Sequence, residues 1–311
     1  MQIISFATEE SNWQRPRVGA IVDQQCLLDF ARAFEGEQPL NHLDWFDLDG
    51  RWFQQSREKL KALQQEPALL ADAREKGLLV MRKDAYWHAP VPRPGKVICI
   101  GLNYRDHAAE SKMQIPEKPV VFSKFSSAVI APGEPVTLPA SSTQVDYEAE
   151  LAVVIGRRAK NVPASRAYDY VLGYTCFNDV SARDFQFADG QWQRGKSCDT
   201  FAPMGPSIVT TDEIPDPHCL SIQLLLNGKA MQDSNTDQLI FRVPALIEFL
   251  SQTITLEPGD VIATGTPAGV GFARQPPVFI QAGDKMEVVI EKVGRLSNPV
   301  AAAREAVATT A

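Results

Sequence analysis

The chain has 311 residues, 44% hydrophobic and 22% charged, with a formal net charge of −7. That balance excludes wholesale disorder, a collagen-like chain and a coiled coil, and a chain this long buries a core without disulfide or metal staples. The negative charge excludes a general binder of phosphate backbones, so nucleic acid is not an expected partner.

Short strands are predicted at 2–6, 18–22 and 26–29. Trp52, Phe53, Leu60 and Leu63 are apolar amid charges and predict a helix, and Pro67 suits the first turn of a further helix through 73. The stretch 89–95, Ala-Pro-Val-Pro-Arg-Pro-Gly, admits neither a helix nor a central strand. It marks a boundary: a small α+β N-terminal domain at 1–89, a Pro-rich linker at 90–95, a larger domain at 96–303 and a tail at 304–311.

The larger unit reads mostly as strands, at 97–100, 148–155, 170–178, 220–226, 261–264 and 286–291, with turn signals at Asn227-Gly228 and Gly283-Asp284. Helices are predicted at 104–111 and 244–251. There is no βαβ alternation, so the expected class is a β-rich α+β fold. The five cysteines form no C-x-x-C pair and suit reduced thiols. Residues 1–6 lack the features of a secretory signal, and no apolar run approaches the ~18 residues that span a bilayer. A cytoplasmic protein with no membrane partner is expected.

The stretch 146–155, Asp-Tyr-Glu-Ala-Glu-Leu-Ala-Val-Val-Ile, puts Asp146, Glu148 and Glu150 on one face of an otherwise apolar strand. Buried unpaired carboxylates are costly and repel one another, and a hard divalent cation resolves both problems. A solvated acidic face is the alternative. Asp179 stands where the strand 170–178 should give way to a loop, and with Glu148 and Glu150 it makes a three-oxygen site suited to Mg²⁺ or Mn²⁺. His107 and Glu110, three apart on the helix, suit a general base held by a carboxylate, or else a surface ion pair. The segment 190–197, Gly-Gln-Trp-Gln-Arg-Gly-Lys-Ser, matches the P-loop pattern letter for letter. Its surroundings do not: no buried strand precedes it and the prolines after it stop a helix, so nucleotide binding is not expected.

Together these segments resemble the fumarylacetoacetate hydrolase superfamily over about 96–301. They are Gly-Leu-Asn-Tyr-x-Asp-His-x-x-Glu at 101–110, Val-Phe-x-Lys at 121–124, Asp-Tyr-Glu-x-Glu-Leu at 146–151, Asn-Asp-Val-Ser-Ala-Arg-Asp at 178–184, Gly-Lys-Ser at 195–197 and Thr-Gly-Thr-Pro-x-Gly-Val-Gly at 264–271. The resemblance implies a mixed β-roll with short helices that forms a homodimer. It implies Glu148, Glu150 and Asp179 as ligands of Mg²⁺ or Mn²⁺, and His107 and Glu110 as a water-activating dyad. Lys196 would sit beside the metal, and Lys124, Arg183, Gln186 and Thr266 would line the substrate pocket. Ile100 stands where fumarylacetoacetase itself has a fourth carboxylate, so the chain resembles the three-carboxylate branch. The implied activity is hydrolysis of a C–C bond in acylpyruvate-type 2,4-dioxo acids. The alternatives are decarboxylation, hydration or isomerisation of 2-oxo (di)acids such as oxaloacetate or hydroxymuconate-type intermediates, or a non-catalytic binding protein on the same fold.

Overall fold

The computed structural model describes residues 1–11, 16–34, 37, 39, 41–188 and 190–303. The tail expected at 304–311 lies outside them. The architecture is a strand-rich α+β fold of two main sheets with few helices. No helix among the described residues is long and apolar enough to cross a membrane.

The strand Ala149–Ile155 is buried along its whole length, and the topology explains why. It lies inside a 12-stranded sheet, antiparallel to both Val171–Asn178 and Val261–Ala263. Leu151, Val153 and Ile155 face a core shared with Ile222, Leu224 and Val288 of a second, five-stranded sheet. Ala152 and Val154 point the other way, into a core shared with Phe46, Trp52 and Phe53 of the N-terminal unit. A strand covered on both faces reads as a continuous apolar run. The glutamates at 148 and 150 are therefore anomalies in the sequence.

The N-terminal unit extends this same sheet. Gln2–Ala7 pairs antiparallel with Ala202–Thr210, setting Ile3 opposite Ile208. Its helix Arg51–Gln65 buries Trp52, Phe53, Ser56, Leu60 and Leu63 along one stripe, and Pro67 opens the next helix, Pro67–Glu75. The helix Val243–Thr253 buries Val243, Leu246, Ile247 and Leu250 at helical spacing.

Several elements were not expected from the sequence. Ala202–Thr210 carries two prolines, which argue against a central strand. The register shifts between Tyr174 and Cys176 of the neighbouring strand, so Pro206 falls in an irregularity where the ladder loses little. Val120–Lys124 and Lys229–Asn235 are strands at sheet ends, and Gly294–Ala301 is broken by polar residues. Two four-residue helices, Arg183–Gln186 and Gln193–Lys196, also appear.

His42 marks the seam between the N-terminal strand and the Pro-rich segment. Its Nε2 lies 3.3 Å from Ser5 Oγ, which donates to the Pro90 carbonyl, and its ring meets Phe46 edge-on. Burial, helped by the nearby His88, lowers its pKa from 6.5 to about 4. The folded pKa is below the unfolded one, so the contribution is intact above pH 6.5 and is lost as pH falls toward 4. Urea unfolding of the parent and of His42→Gln at pH 7 and pH 4 tests this. The parent should lose about 3 kcal/mol more than the variant over that interval; equal losses would remove His42 from the account.

Candidate active site

The three carboxylates meet because two antiparallel strands share one end. Ala149 pairs with Asn178, so Glu148 precedes one strand where Asp179 follows the other. The Asp179 amide donates to the Glu148 carbonyl, and the Glu148 amide donates to Asn178 Oδ1. Glu150 is the second residue of its strand and returns to the same face. Carboxylate oxygens of Glu148, Glu150 and Asp179 lie within 4.8 Å of one another, and all three residues are buried.

Buried cations meet part of this charge. Lys196 Nζ donates to Glu148 Oε2 at 2.7 Å and to Asp179 Oδ2 at 2.9 Å. Arg183 is 2.6 Å from Glu148 Oε1, and Lys124 Nζ donates to Asp179 Oδ1. Burial works against the charged form of Glu148, but Lys196 and Arg183 overcome it and hold the carboxyl below its usual range. Burial likewise disfavours the Lys196 ammonium, and Asp179 and Glu148 outweigh it, so that pKa is raised. Glu150 is different. It accepts from the Gly265 amide at 2.9 Å, and among the described residues no cation forms an ion pair with it. Burial and the fields of Asp179 and Glu148 push its pKa well above normal. An all-oxygen donor set with one uncompensated carboxylate fits a hard divalent cation.

A second group stands across the cavity. The helix Arg105–Glu110 follows the strand Val97–Gly101. Its entry is pinned by Asn103, whose side-chain amide donates to the Thr264 and Phe241 carbonyls. His107 Nδ1 lies 3.3 Å from Glu110 Oε2. Both Glu110 oxygens also receive the Gly269 amide, at 2.9 and 3.1 Å. Gly269 has φ +100°, and a Cβ there would lie 2.2 Å from the Met231 carbonyl oxygen, so no other residue fits without disruption.

The sequence model described as the C-terminal domain of fumarylacetoacetate (FAA) hydrolase matches residues 96–301. The chain belongs to the fumarylacetoacetate hydrolase family. A mitochondrial oxaloacetate tautomerase of Xenopus laevis is 40% identical over 303 residues, 96% of this chain and 90% of the relative. The solved structure of 5-carboxymethyl-2-hydroxymuconate delta-isomerase from Mycobacterium smegmatis matches with a TM-score of 0.75 at 34% identity, over 97% of this chain and 100% of that one. Fumarylacetoacetate hydrolase from Exiguobacterium antarcticum matches with a TM-score of 0.74 at 32% identity, over 98% and 100% of the two chains.

Of the family positions expected to line a pocket, Arg183, Gln186 and Thr266 border the same 110 Å³ cavity as His107, Glu148, Glu150 and Lys196. Lys124 does not: it lies behind Asp179, with its ammonium committed to that carboxylate and to the Val180 carbonyl. Ile100, at the fourth-carboxylate position, presents an apolar wall. Asp146 shares the strand pattern of the glutamates but leaves the cluster. It sits in a two-residue bridge with Ser181 and Ala182 and holds Arg183 Nε and Nη2 at 3.0 and 2.8 Å.

The role of Asp146 and the whole of Gln232 escaped sequence reading. Asp146 accepts from the amides of Gly271 and Phe272 as well as from Arg183, which alternation alone does not reveal. Gln232 is fully enclosed, donating to Thr266 Oγ1 and the Pro267 carbonyl and accepting from the Ala149 amide. Its strand carries no signal that would have singled it out. The P-loop look-alike is a short helix, Gln193–Lys196, with Gly195 inside it, and it follows the helix Arg183–Gln186 rather than a strand.

Two predictions rest on this geometry. Glu148→Gln and Asp179→Asn each remove an anionic ligand at nearly constant volume, so calorimetry should show weakened Mg²⁺ and Mn²⁺ binding in folded protein; unchanged affinity in both would dismiss the three-carboxylate site. ATP and GTP should show no saturable binding beyond competition for free metal. A nucleotide affinity abolished by Lys196→Ala would reverse that reading.

Proposed function

We propose that this chain is an enzyme of 2-oxo acids that moves a proton between carbon and oxygen, a keto–enol tautomerase or isomerase of the oxaloacetate class dependent on Mg²⁺ or Mn²⁺. The observation that carries this is the meeting, at one cavity, of a three-carboxylate cluster in which Glu150 pairs with no cation among the described residues and a histidine held by a carboxylate. The names of its relatives support the same chemistry.

Glu148, Glu150 and Asp179 would hold the cation, which when bound draws electron density from the oxygens of a 2-oxo acid and eases loss of a proton from the adjoining carbon. His107 takes that proton and returns it to the enol oxygen, the C–H electron pair becoming the C=C bond. Its Nδ1 is turned to Glu110, which leaves Nε2 for this work. Glu110, clamped by the Gly269 amide, fixes the tautomer and ring orientation. Lys196 stays charged and favours the negative charge that develops on the enolate. Gln186 offers a hydrogen bond from the wall, whereas the Thr266 hydroxyl, which donates to the Ala149 carbonyl and accepts from Gln232, shapes it.

Hydrolytic C–C cleavage, the leading expectation from the sequence, becomes the second reading. It needs an attacking water in addition to the same base, and the likeness to the Exiguobacterium hydrolase supports it. A non-catalytic binding protein has no use for the dyad. The homodimer remains part of the proposal. The cytoplasmic location does not, since the relatives' names include "mitochondrial".

The test is the interconversion of enol- and keto-oxaloacetate, followed by ultraviolet absorbance with Mg²⁺ or Mn²⁺ present. His107→Ala should slow it ~10²–10⁴-fold with metal affinity retained, and Glu110→Gln should slow it less. A parent rate in His107→Ala would exclude the dyad.

A further inference from the structure

The cavity has a charged end and an aromatic end, joined by two ribs of side chains. In the first, Lys196 Nζ lies 5.0 Å from the centre of the Phe122 ring, and Phe122 meets Trp192 edge-on at 5.3 Å. In the second, the Arg183 guanidinium lies 4.7 Å from the Phe272 ring, and Phe272 meets Phe187 at 5.8 Å. Each rib starts at a cation and ends in apolar surface. Both cations are committed at the charged end, Lys196 to Glu148 and Asp179, Arg183 to Asp146, Glu148 and Gln186. Beyond them Ile100, Leu102, Met113 and Phe187 make the lining mainly apolar, with Ser111 the one hydroxyl among them.

Trp192 occupies a distinctive place in this wall. The indole packs against the backbone of Gly101, where an added Cβ would lie 2.7 Å from its ring. Gly101 thus leaves the space that the indole fills. Trp192 belongs to the P-loop look-alike, and its carbonyl accepts the Lys196 amide, so one short turn places both the wall and the lysine. The 110 Å³ cavity is small beside the few hundred Å³ of common ligand sites.

We propose that Trp192 is a specificity-determining residue: seated against Gly101, it limits the size of the group that a 2-oxo acid carries on the side away from its carboxylate, and it offers that group an apolar face. The inference rests on the proposed 2-oxo acid reading. It assigns a role to a part of the P-loop look-alike that no expected chemistry had used.

The experiment compares parent and Trp192→Ala on oxaloacetate, which is compact, and on phenylpyruvate, which is bulky, by enol–keto conversion and by calorimetric binding to Mg²⁺-loaded protein. The expected result is a rise of about tenfold or more in the phenylpyruvate-to-oxaloacetate ratio of kcat/KM, with a matching shift in the ratio of affinities. An unchanged ratio would overturn the proposal, and a fall in both kcat/KM values at constant ratio would make Trp192 a support for Lys196 instead. If the parent turns over neither compound but the affinity ratio still shifts, the size limit stands and the tautomerase reading fails. If Trp192→Ala does not fold by circular dichroism, Trp192→Leu, which keeps an apolar side chain of smaller size, carries the same comparison.

Discussion

Three buried carboxylates within a few ångströms of one another are the constraint on which the rest of this structure depends. Two of them, Glu148 and Asp179, are paired with Lys196, Arg183 and Lys124, and each of those cations is itself buried and would be costly alone. The third, Glu150, accepts from the Gly265 amide and, among the described residues, pairs with no cation. A protein seeking stability alone would place apolar side chains here, as the remainder of the strand Ala149–Ile155 does. The excess negative charge therefore makes sense as a standing preference for a divalent cation, with Lys196 and Arg183 limiting the repulsion until it is met.

The segment after the strand Val261–Ala263 ties the separate parts of the site together through its own amides. Gly265 donates to Glu150, Gly269 to Glu110, and Gly271 and Phe272 to Asp146, which holds Arg183. One loop thus orients a proposed metal ligand, the carboxylate of the dyad and the partner of the cavity's arginine. Gln232, from the second sheet, braces the middle of that loop. Coupling of this kind links the packing of the two sheets to the geometry of the chemistry, because a shift between them moves all three acids. Its backbone donors are fixed in place and need no reorganisation as charge develops.

Much of this was legible in the residues, for identifiable reasons. Carboxylates inside an apolar run violate the pattern that burial imposes, so Glu148 and Glu150 stand out at once. Asp179 follows from its place at a strand end. The apolar stripe of Arg51–Gln65 and the proline opening Pro67–Glu75 announce helices by local physics. What stayed hidden depends on partners distant in sequence. Ala202–Thr210 is a strand despite its prolines, and its neighbour's register shifts where Pro206 falls. Residues 89–95 lie outside helices and strands, and the sheet and a core run across them. Asp146 looks like a third member of the acidic face until the short bridge to Ser181 turns it toward Arg183.

The central claim, that the carboxylate cluster is built for a divalent cation, is tested most directly by thermal unfolding of chelator-treated protein with and without added Mg²⁺ or Mn²⁺. A ligand bound only by the folded state stabilises it by about 2.7 kcal/mol at a hundredfold excess over Kd. Tm should climb steadily with metal concentration, and excess chelator should reverse the rise. A Tm indifferent to either metal would contradict the claim, and would leave three buried acids whose repulsion the protein endures for no chemical purpose.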